Sequence, residues 1–391
     1  MITRVALVCS GLGNVRRGYE SFAQGLFDAL SGDPSLDLWL FKGAGDHTPR
    51  QIPLLHLRRA GFTARLTGEL TRRGPYVVEQ ATLTASLLPH LRRIQPHVVY
   101  YCDLSIGRLL WHWRKLTGAS FRLIMHNGGP HAPPFRWCDH VHQLTPAAMT
   151  EALAAGQPAG RQTLLPCGFQ FGPVPRPLSM GERYSRRQAL GLPADRPMVL
   201  SVGALNRGHK RMDYLIAEIA ALGETRPFLA MLGEPEDETP AVRATAELLL
   251  GPEGFAMRTV PREQVDDYYR AADVFALASL KEAFGLAYVE AMAQGLPCVA
   301  HDQAVTRFVL GEEGLLTDLR ERGALTAAIR SALSLGDSGE LRARRHHAVR
   351  ERFGWPALRP AYVAMLAECA VAPAPAPARA VRLEVTAGVG G

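Results

Sequence analysis

Short apolar runs alternate along the chain with longer segments whose apolar residues recur every three or four positions. The short runs are typical of buried strands, and the longer spacing is typical of amphipathic helices. Strands are predicted at 2–9, 37–42, 98–103, 121–125, 198–203, 228–233, 256–260, 274–278 and 298–300. Helices are predicted at 19–30, 83–93, 104–116, 185–190, from 212, 324–335 and 339–352. This alternation predicts an α/β protein with parallel sheets, whose ligands bind at the carboxyl ends of the strands.

A chain of 391 residues is long for a single core and fits two domains. Prolines at 173, 175 and 177 indicate a linker over 173–184, between a first domain at 1–172 and a second that begins at 185. The Ala-Pro repeats that follow 371 predict a disordered tail over 371–391.

The chain is basic, with a formal net charge of +7 and a pI of about 9.2. No recognisable nucleic-acid-binding motif accompanies this charge, so a nucleic-acid partner is not expected. An anionic donor or an anionic membrane surface suits the charge better. Residues 50–73 combine six arginines with leucines and a phenylalanine. Such a segment is more commonly a solvated helix face, and the alternative is a weak peripheral contact with an anionic membrane.

The six cysteines form no C-x-x-C pair and mostly occupy apolar runs. They are therefore expected to be buried thiols in a reducing cytoplasm. No window approaches the ~18 apolar residues of a membrane span, and the first residues do not resemble a signal peptide. The predicted location is the cytoplasm, or the inner face of the membrane as a peripheral protein.

The first predicted strand leads into a glycine-containing loop at Gly11, Gly13 and Gly18, followed by a helix. Strand, glycine loop and helix in this order open a Rossmann-like domain. The loop is not a G-x-G-x-x-G fingerprint, because Arg16 stands in the place of the third glycine. A plain strand-to-helix turn is the alternative interpretation.

The most informative stretch carries two glutamates, Glu282 and Glu290, that flank Phe284-Gly285-Leu286. A helix is predicted to begin near Gly285 and to end at Gly295, before Pro297. The start of a helix exposes backbone N–H groups and the positive end of the helix dipole, which suits a phosphate. Carboxylates beside a phosphate site suit sugar hydroxyl groups. The alternative is an amphipathic helix with two solvated glutamates.

This stretch, with its flanks at 268–274 and 290–297, resembles the E-x7-E motif of the family 4 retaining glycosyltransferases (glycosyl transferases group 1). The resemblance implies the GT-B fold, α/β with two Rossmann-like domains facing across a cleft. It assigns 185–355 to a nucleotide-sugar donor domain, 1–172 to an acceptor domain, and 356–370 to a helix that returns to the first domain. It also implies an enzyme that uses neither a cofactor nor a metal.

In that family the first glutamate faces the transferred sugar and the second holds the nucleotide ribose, so these roles would fall on Glu282 and Glu290. Phe284, Gly285 and Leu286 would bind the donor between them. The backbone of Val260 would lie where the nucleobase is recognised.

The loop after the strand at 198–203 resembles the loop that holds the donor diphosphate. Lys210 matches the family's lysine, and a fixed cation there would stabilise the charge that develops on the leaving diphosphate. The family's arginine is absent, since Ala204 occupies its position, and Arg207 is the candidate replacement. Surface charge on a loop is the alternative for Arg207.

In the first domain the resemblance brings Gly11, Gly13 and Asn14 towards the donor from the opposite side of the cleft. Arg16 or Arg17 would add positive charge there.

His126 follows a predicted strand and precedes Asn-Gly-Gly. The resemblance places such a histidine near the acceptor and the transferred sugar, where it could donate a hydrogen bond or accept a proton. A structural histidine is the alternative. Cys138, His140 and His142 could share one face of a strand, but metal binding is not expected. The acidic run at 234–238 lacks metal-motif spacing and is interpreted as a solvated loop.

The family's glycine pair and following glutamate are absent from 301–307. The resemblance as a whole nevertheless implies a retaining transferase. Such an enzyme moves a sugar from a nucleotide diphosphate-sugar to a hydroxyl acceptor (a glycan, a lipid or a secondary metabolite). Two alternatives remain: a sugar-nucleotide-binding GT-B protein without transferase activity, and a sugar-nucleotide 2-epimerase.

Overall fold

The computed structural model describes residues 2–15, 17–59, 61–129 and 131–371. Arg16 and the tail predicted to be disordered, from 372 onward, lie outside the described residues. The strands are β1 (Thr3–Cys9), β2 (Leu36–Lys42), β3 (Gln51–Pro53), β4 (Val98–Tyr101), β5 (Arg122–His126), β6 (His140–Gln143), β7 (Gln162–Leu164), β8 (Met198–Val202), β9 (Phe228–Leu232), β10 (Phe255–Arg258), β11 (Val274–Ala276), β12 (Cys298–His301) and β13 (Gly314–Thr317). The α-helices are α1 (Gly18–Leu30), α2 (Phe62–Thr71), α3 (Pro75–Ile94), α4 (Leu104–Thr117), α5 (Pro146–Ala154), α6 (Met180–Ala189), α7 (Met212–Ala220), α8 (Thr239–Leu250), α9 (Arg262–Ala271), α10 (Leu286–Ala293), α11 (Ala304–Leu310), α12 (Ala324–Ser334), α13 (Gly339–Phe353) and α14 (Trp355–Val371).

The strands form two separate parallel sheets. The first has the order β3-β2-β1-β4-β5-β6-β7 and the second the order β10-β9-β8-β11-β12-β13. Each is a doubly wound sheet whose strand order reverses between two central strands, β1 and β4 in the first and β8 and β11 in the second. The predicted architecture of two Rossmann-like domains is therefore confirmed, and in sheets of this kind the reversal point is the usual place for a ligand.

The central strands are buried on both faces, which explains their continuous apolar sequences. Every residue of β4 and β9 is buried. One apolar cluster contains residues of both sheets, among them Leu7 of β1 and Leu200 of β8, together with Phe353 of α13. The two domains are thus joined by packing as well as by the chain.

The linker is shorter than predicted, because α6 begins at Met180 rather than at 185. Ser179 accepts a hydrogen bond from the Glu182 N–H at 3.2 Å, and Glu182 accepts one from the Ser179 N–H at 2.9 Å. This reciprocal capping box starts the helix. Its S-x-x-E signature is visible in the sequence.

The segment 50–73 is not one amphipathic helix. It contains β3 and then α2, which ends where Arg72 adopts a left-handed conformation with φ of 53°. Gly74 and Pro75 follow and start α3, eight residues before the predicted start at 83. None of the helices in the described part has both the length and the apolar character of a transmembrane span.

The last helix, α14, returns to the first domain. The chain crosses between domains at 169 and 354, where the Phe169 N–H donates to the Phe353 carbonyl at 2.8 Å. The Trp355 ring lies 6.1 Å from the Phe22 ring of α1, and the Tyr362 hydroxyl donates to the Pro166 carbonyl at 2.8 Å. The C-terminal helix therefore packs as a part of the first domain.

Candidate functional site

Lys210 and Glu282 meet at the reversal point of the second sheet. Lys210 lies in the loop after β8 and Glu282 in the loop after β11, and Lys210 Nζ is 2.5 Å from Glu282 Oε1. Their side chains are 13% and 7% exposed, so the pair is mostly shielded from water. The Lys210 side chain runs across Gly203, where an added Cβ would lie 3.0 Å from Lys210 Cε. The sheet topology thus brings together two candidates that are 72 residues apart in sequence.

The loop that carries Lys210 is held by polar contacts that sequence reasoning missed. Asn206 Oδ1 accepts from the Lys210 N–H at 2.7 Å, and Asn206 Nδ2 donates to Glu236 at 2.7 Å. Glu238 accepts from the N–H groups of Arg207 and Gly208 at 2.8 and 3.0 Å. The acidic run 234–238 is therefore more than a solvated loop, because it fixes the backbone beneath Lys210. The only sequence signal was its position directly after β9.

The start of α10 lies beside Glu282, at the same edge of the sheet. Gly285 has φ of 88°, and an added Cβ would lie 2.7 Å from Tyr288 Cδ2. Phe284 points into the core, where its ring meets the Phe353 ring edge-on at 5.4 Å. The phenylalanine therefore anchors the turn from which α10 starts, and the first turn of a helix carries N–H groups without i−4 partners.

Glu290 lies one turn into α10 and is bound from two sides. The Tyr269 hydroxyl donates to it at 2.9 Å, and the Arg262 guanidinium donates to it at 2.7 Å. Burial raises the pKa of the Glu290 carboxyl, and both partners oppose that rise. Tyr269 and Arg262 are positioning residues that were not singled out from the sequence, although Tyr269 stands in the quoted flank of the motif.

Val260 and Arg207 have different surroundings. Val260 follows β10, packs against the apolar cluster and stands two residues before Arg262. Arg207 is more than half exposed, and its guanidinium pairs with Asp213 at 3.3 Å. The structure therefore places the Val260 segment beside Glu290, whereas it directs the Arg207 side chain towards the start of α7. The neighbouring Arg211 is engaged elsewhere, since it donates to the carbonyls of Ala278 and Leu319.

The glycine loop of the first domain faces the start of α10. An added Cβ at Gly18 would lie 3.5 Å from Leu286 Cδ1, so the beginnings of α1 and α10 approach each other across the cleft. Gly13 has φ of 86°, and a Cβ there would lie 2.3 Å from the Ala44 carbonyl oxygen. At Gly11 a Cβ would lie 2.0 Å from Glu20 Oε1. The positive φ and the close backbone oxygen require glycine at position 13, whereas at position 11 an added carbon would displace the Glu20 carboxyl group.

The side chains of Asn14 and Arg17 in this loop turn into the first domain. Asn14 Nδ2 lies 3.3 Å from His56 Nε2, and the Arg17 guanidinium pairs with Glu20 at 2.8 Å. Asn14 and Arg17 therefore contact their own domain in this structure.

A second polar cluster, also missed by sequence reasoning, lies at the reversal point of the first sheet. Asp103 follows β4 and accepts hydrogen bonds from Ser10, which follows β1, at 2.7 Å and from the Tyr76 hydroxyl. The Arg59 guanidinium lies 4.4 Å above the Tyr76 ring and also pairs with Glu79. Ser10 directly precedes Gly11, so this cluster adjoins the glycine loop of the first domain.

His126 belongs to a buried hydrogen-bond chain at the end of β5. It is 2% exposed and stacks on Phe22 at 4.5 Å. His142 Nε2 donates to the Leu165 carbonyl at 2.8 Å, so His142 Nδ1 accepts from the Tyr100 hydroxyl at 2.6 Å. The Tyr100 oxygen then accepts from His126 Nδ1 at 2.8 Å. These partners leave His126 Nε2 as an acceptor, directed at Gly128, where an added Cβ would be 2.5 Å away.

Burial lowers the pKa of His126 well below its usual value and lowers that of His142 to about 4. Both rings are therefore neutral in the folded protein, whereas the unfolded chain takes up protons below about pH 6.5. We expect the free energy of unfolding to be highest above pH 6.5 and to fall between pH 6.5 and 4, by about 3 kcal/mol for His142. Urea unfolding at a series of pH values measures this fall.

The matched comparison uses His142→Gln, which should make the pH dependence shallower by about one proton. His112→Gln, on the exposed side of α4, is the control and should leave the slope as it is. An unchanged slope in His142→Gln would contradict the neutral, buried assignment.

The run with Cys138, His140 and His142 does not gather its side chains around one point. The Cys138 thiol donates to the Phe135 carbonyl, and His140 Nε2 lies 2.8 Å from Thr163 Oγ1. Within the described residues no group of three or more His, Cys, Asp and Glu side chains is arranged to hold a metal ion.

The arrangement as a whole offers a mostly shielded cation–carboxylate pair, the start of a helix and a second, mostly shielded carboxylate along one edge of a sheet. A diphosphate suits the cation and the helix N–H groups, and hydroxyl groups suit the carboxylates. The glycine loop of the first domain brings its backbone close to the start of α10.

Comparison with known proteins agrees with this geometry. Residues 182–352 match the family model described as "Glycosyl transferases group 1". A curated relative, the D-inositol 3-phosphate glycosyltransferase of Xylanimonas cellulosilytica, is 35% identical over 189 residues, which are 46% of this chain and 44% of that protein. The match thus spans less than half the length of this relative.

Solved structures resemble the chain over nearly its whole length. Sucrose-phosphate synthase from Thermosynechococcus elongatus superposes with a TM-score of 0.74 at 20% identity, covering 94% of this chain and 100% of that one. Anabaena Alr3699/HepE, solved in complex with UDP and glucose, gives a TM-score of 0.74 at 16% identity with the same coverage. At these identities the likeness concerns the fold. The chain therefore has the GT-B fold, and its second domain matches the glycosyl transferases group 1 family.

Proposed function

We propose that this protein is a retaining glycosyltransferase of family 4 that moves a sugar from a nucleotide diphosphate-sugar to a hydroxyl group. The observation that carries the proposal is the contact of Lys210 with Glu282 at the reversal point of the second sheet, beside the start of α10. The match of this domain to the group 1 family supports it.

The donor would occupy the edge of the second domain. Lys210 and the first N–H groups of α10 would hold the diphosphate, while Glu282 would accept hydrogen bonds from the sugar. Glu290, one turn further along, would hold the ribose, with the nucleobase beside Val260. The UDP and glucose present in the Anabaena structure support a ligand of this class.

In the proposed reaction the bond between the anomeric carbon and the β-phosphate oxygen breaks, and the acceptor oxygen bonds to that carbon on the same face. The diphosphate takes the proton of the acceptor. The charge that develops on the diphosphate is stabilised by Lys210, which is already fixed in place. Closure of the cleft would bring the Gly11–Asn14 loop and the His126 Nε2 side of the first domain over the sugar.

The proposed location is the cytoplasm, whose reducing conditions suit six unpaired, buried cysteines. The proposal also includes a weak peripheral contact of residues 50–73 with a membrane surface.

A panel of nucleoside diphosphate sugars tests the proposal through thermal shift and product analysis. At least one donor should raise the melting temperature, because a ligand that binds only the folded state stabilises it. That donor should release its nucleoside diphosphate when a hydroxyl acceptor is supplied, and the glycoside should keep the anomeric configuration of the donor.

Other outcomes separate the alternatives. Binding without turnover in any acceptor screen would favour a sugar-nucleotide-binding protein without transferase activity. The alanine at 204 and the absence of the glycine pair from 301–307 are the two sequence features that motivate this alternative. Conversion of the sugar nucleotide to an isomer without any acceptor would identify a 2-epimerase. If no donor raises the melting temperature, the whole proposal is wrong.

Glu290→Ala should weaken donor binding by about 10- to 100-fold, because the ribose loses its acceptor and Arg262 loses its buried partner. Calorimetric titration with the donor found in the panel measures this loss. Asp266→Asn is the control, since Asp266 lies 3.8 Å from the same arginine but is more than half exposed. Unchanged affinity in Glu290→Ala would rule out the ribose role.

A further inference from the structure

The exposed side of α2 carries a stripe of large apolar residues. Phe62, Leu66 and Leu70 stand four residues apart and are 78%, 44% and 78% exposed. Residues at this spacing share one face of a helix. A helix in a globular protein normally turns its large apolar residues to the core. Among the α2 side chains and glycines that the structure describes, the buried positions are instead the small residues Ala64 and Gly68.

The small residues explain how the helix stays in place. Ala64 is fully buried, and an added Cβ at Gly68 would lie 2.7 Å from the Arg73 carbonyl oxygen, where the chain turns back into α3. The helix α2 packs against α3 through this side. Packing within the domain therefore leaves the apolar stripe outward.

The charges around the stripe have one dominant sign. Arg58, Arg65, Arg72 and Arg73 are exposed, and within the described part of the chain none of them pairs with a carboxylate. Glu69 is the only acid between 58 and 73. Apolar side chains flanked by unpaired arginines complement an anionic bilayer, which takes both the hydrocarbon and the positive charge.

The residues that flank α2 connect it to the polar cluster around Asp103. Arg59 precedes the helix and Tyr76 follows it, and the Arg59 guanidinium lies over the Tyr76 ring at 4.4 Å. Tyr76 in turn donates to Asp103, which also binds Ser10 at the start of the glycine loop. A hydroxyl compound held in a bilayer beneath α2 would therefore enter the cleft on the side of Asp103.

We propose that α2 docks the protein on an anionic membrane and that the acceptor is a membrane-borne hydroxyl compound. The choice of acceptor rests on the proposed function, whereas the docking does not. The aromatic and aliphatic stripe would enter the interface while the arginines contact the lipid phosphates.

The test is sedimentation of the full chain with vesicles, made either of phosphatidylcholine alone or of phosphatidylcholine and phosphatidylglycerol in equal parts. Binding should require phosphatidylglycerol and should weaken as salt is added. The triple variant Phe62→Ser/Leu66→Ser/Leu70→Ser should bind about tenfold or more weakly. Replacing Arg65, Arg72 and Arg73 by glutamine should weaken binding by about a hundredfold, about fivefold for each arginine.

Leu248→Ser is the matched control, because Leu248 is 83% exposed on α8 of the second domain and should not affect binding. Absence of vesicle binding, or binding that the triple variant retains, would overturn the proposal. So would a dimer that the triple variant converts to a monomer in the absence of any vesicle binding, since the stripe would then be a contact between copies of the chain.

Thermal shift with the sugar nucleotide separates the two proposals. The α2 variants should keep the donor-induced shift, because the donor lies on the other domain. The transferred sugar should appear in the lipid extract of vesicles that contain a total membrane lipid fraction. Transfer only to water-soluble acceptors would refute the membrane-borne acceptor and leave the transferase proposal standing.

Discussion

Lys210→Ala is expected to lower the turnover of sugar transfer by about 100- to 1,000-fold, equivalent to about 3 kcal/mol of transition-state stabilisation. In the structure this lysine is mostly shielded, and its ammonium lies 2.5 Å from Glu282. Its position is fixed before the donor arrives, because Asn206 and Gly203 define the path of the loop and the side chain. A cation that needs no rearrangement contributes most when the diphosphate gains charge.

The rate of nucleoside diphosphate release at saturating donor measures this effect. Lys281→Ala is the control, since Lys281 is exposed in the same loop as Glu282 and should retain normal turnover. A melting curve verifies that the Lys210 variant is folded, because its loss leaves Glu282 without its cation. Turnover close to that of the unaltered protein would exclude Lys210 from the chemical step.

Gly168→Ala is expected to lower the midpoint of thermal unfolding, because the added methyl group would overlap a buried indole ring. An added Cβ at this position would lie 2.4 Å from Cε3 and Cζ3 of Trp355, well inside van der Waals contact. The indole cannot move aside easily, because the Phe22 and Tyr362 rings pack around it at 6.1 and 5.3 Å. Overpacking of this kind costs about 1–3 kcal/mol and would loosen α14 from the first domain.

Gly172→Ala is the matched control, four residues further along the same connection. A Cβ there meets no atom within 4 Å, so the change should be neutral or slightly stabilising. Scanning calorimetry measures the melting midpoint of each variant, and only Gly168→Ala should lower it. Equal melting midpoints would mean that α14 is not held at Trp355.

The repeating strand–helix order was predictable because each central strand is buried on both faces and so reads as an uninterrupted apolar run. Local chemistry also predicted the turn at Gly285, since a left-handed residue before a helix leaves little choice but glycine. The earlier start of α6 was missed, although Ser179 and Glu182 carried a capping signature that could have been used.

Some residues of the candidate site were also identifiable from the sequence, whereas others were not. The spacing of Glu282 and Glu290 and the resemblance of their flanks identified the stretch, and the lysine of the opposite loop came from the same resemblance. The residues that hold these groups were not identifiable, because Tyr269, Arg262 and Asn206 act through contacts with residues distant in sequence. Nothing in the sequence showed that Arg207 would turn to Asp213, since the path of a loop side chain depends on its neighbours in space.

By itself the sequence determined the α/β class and the division into two domains, because these follow from burial periodicity and from chain length. Its resemblance to a known motif pointed to the stretch on which a donor would lie. Only the tertiary structure decided which side chains meet. The reversal of strand order places the loops after β8 and β11 side by side, and the return of α14 positions the first domain opposite them. It also decided that the large residues of α2 face outward, since that outcome depends on how closely α3 can pack against Ala64 and Gly68.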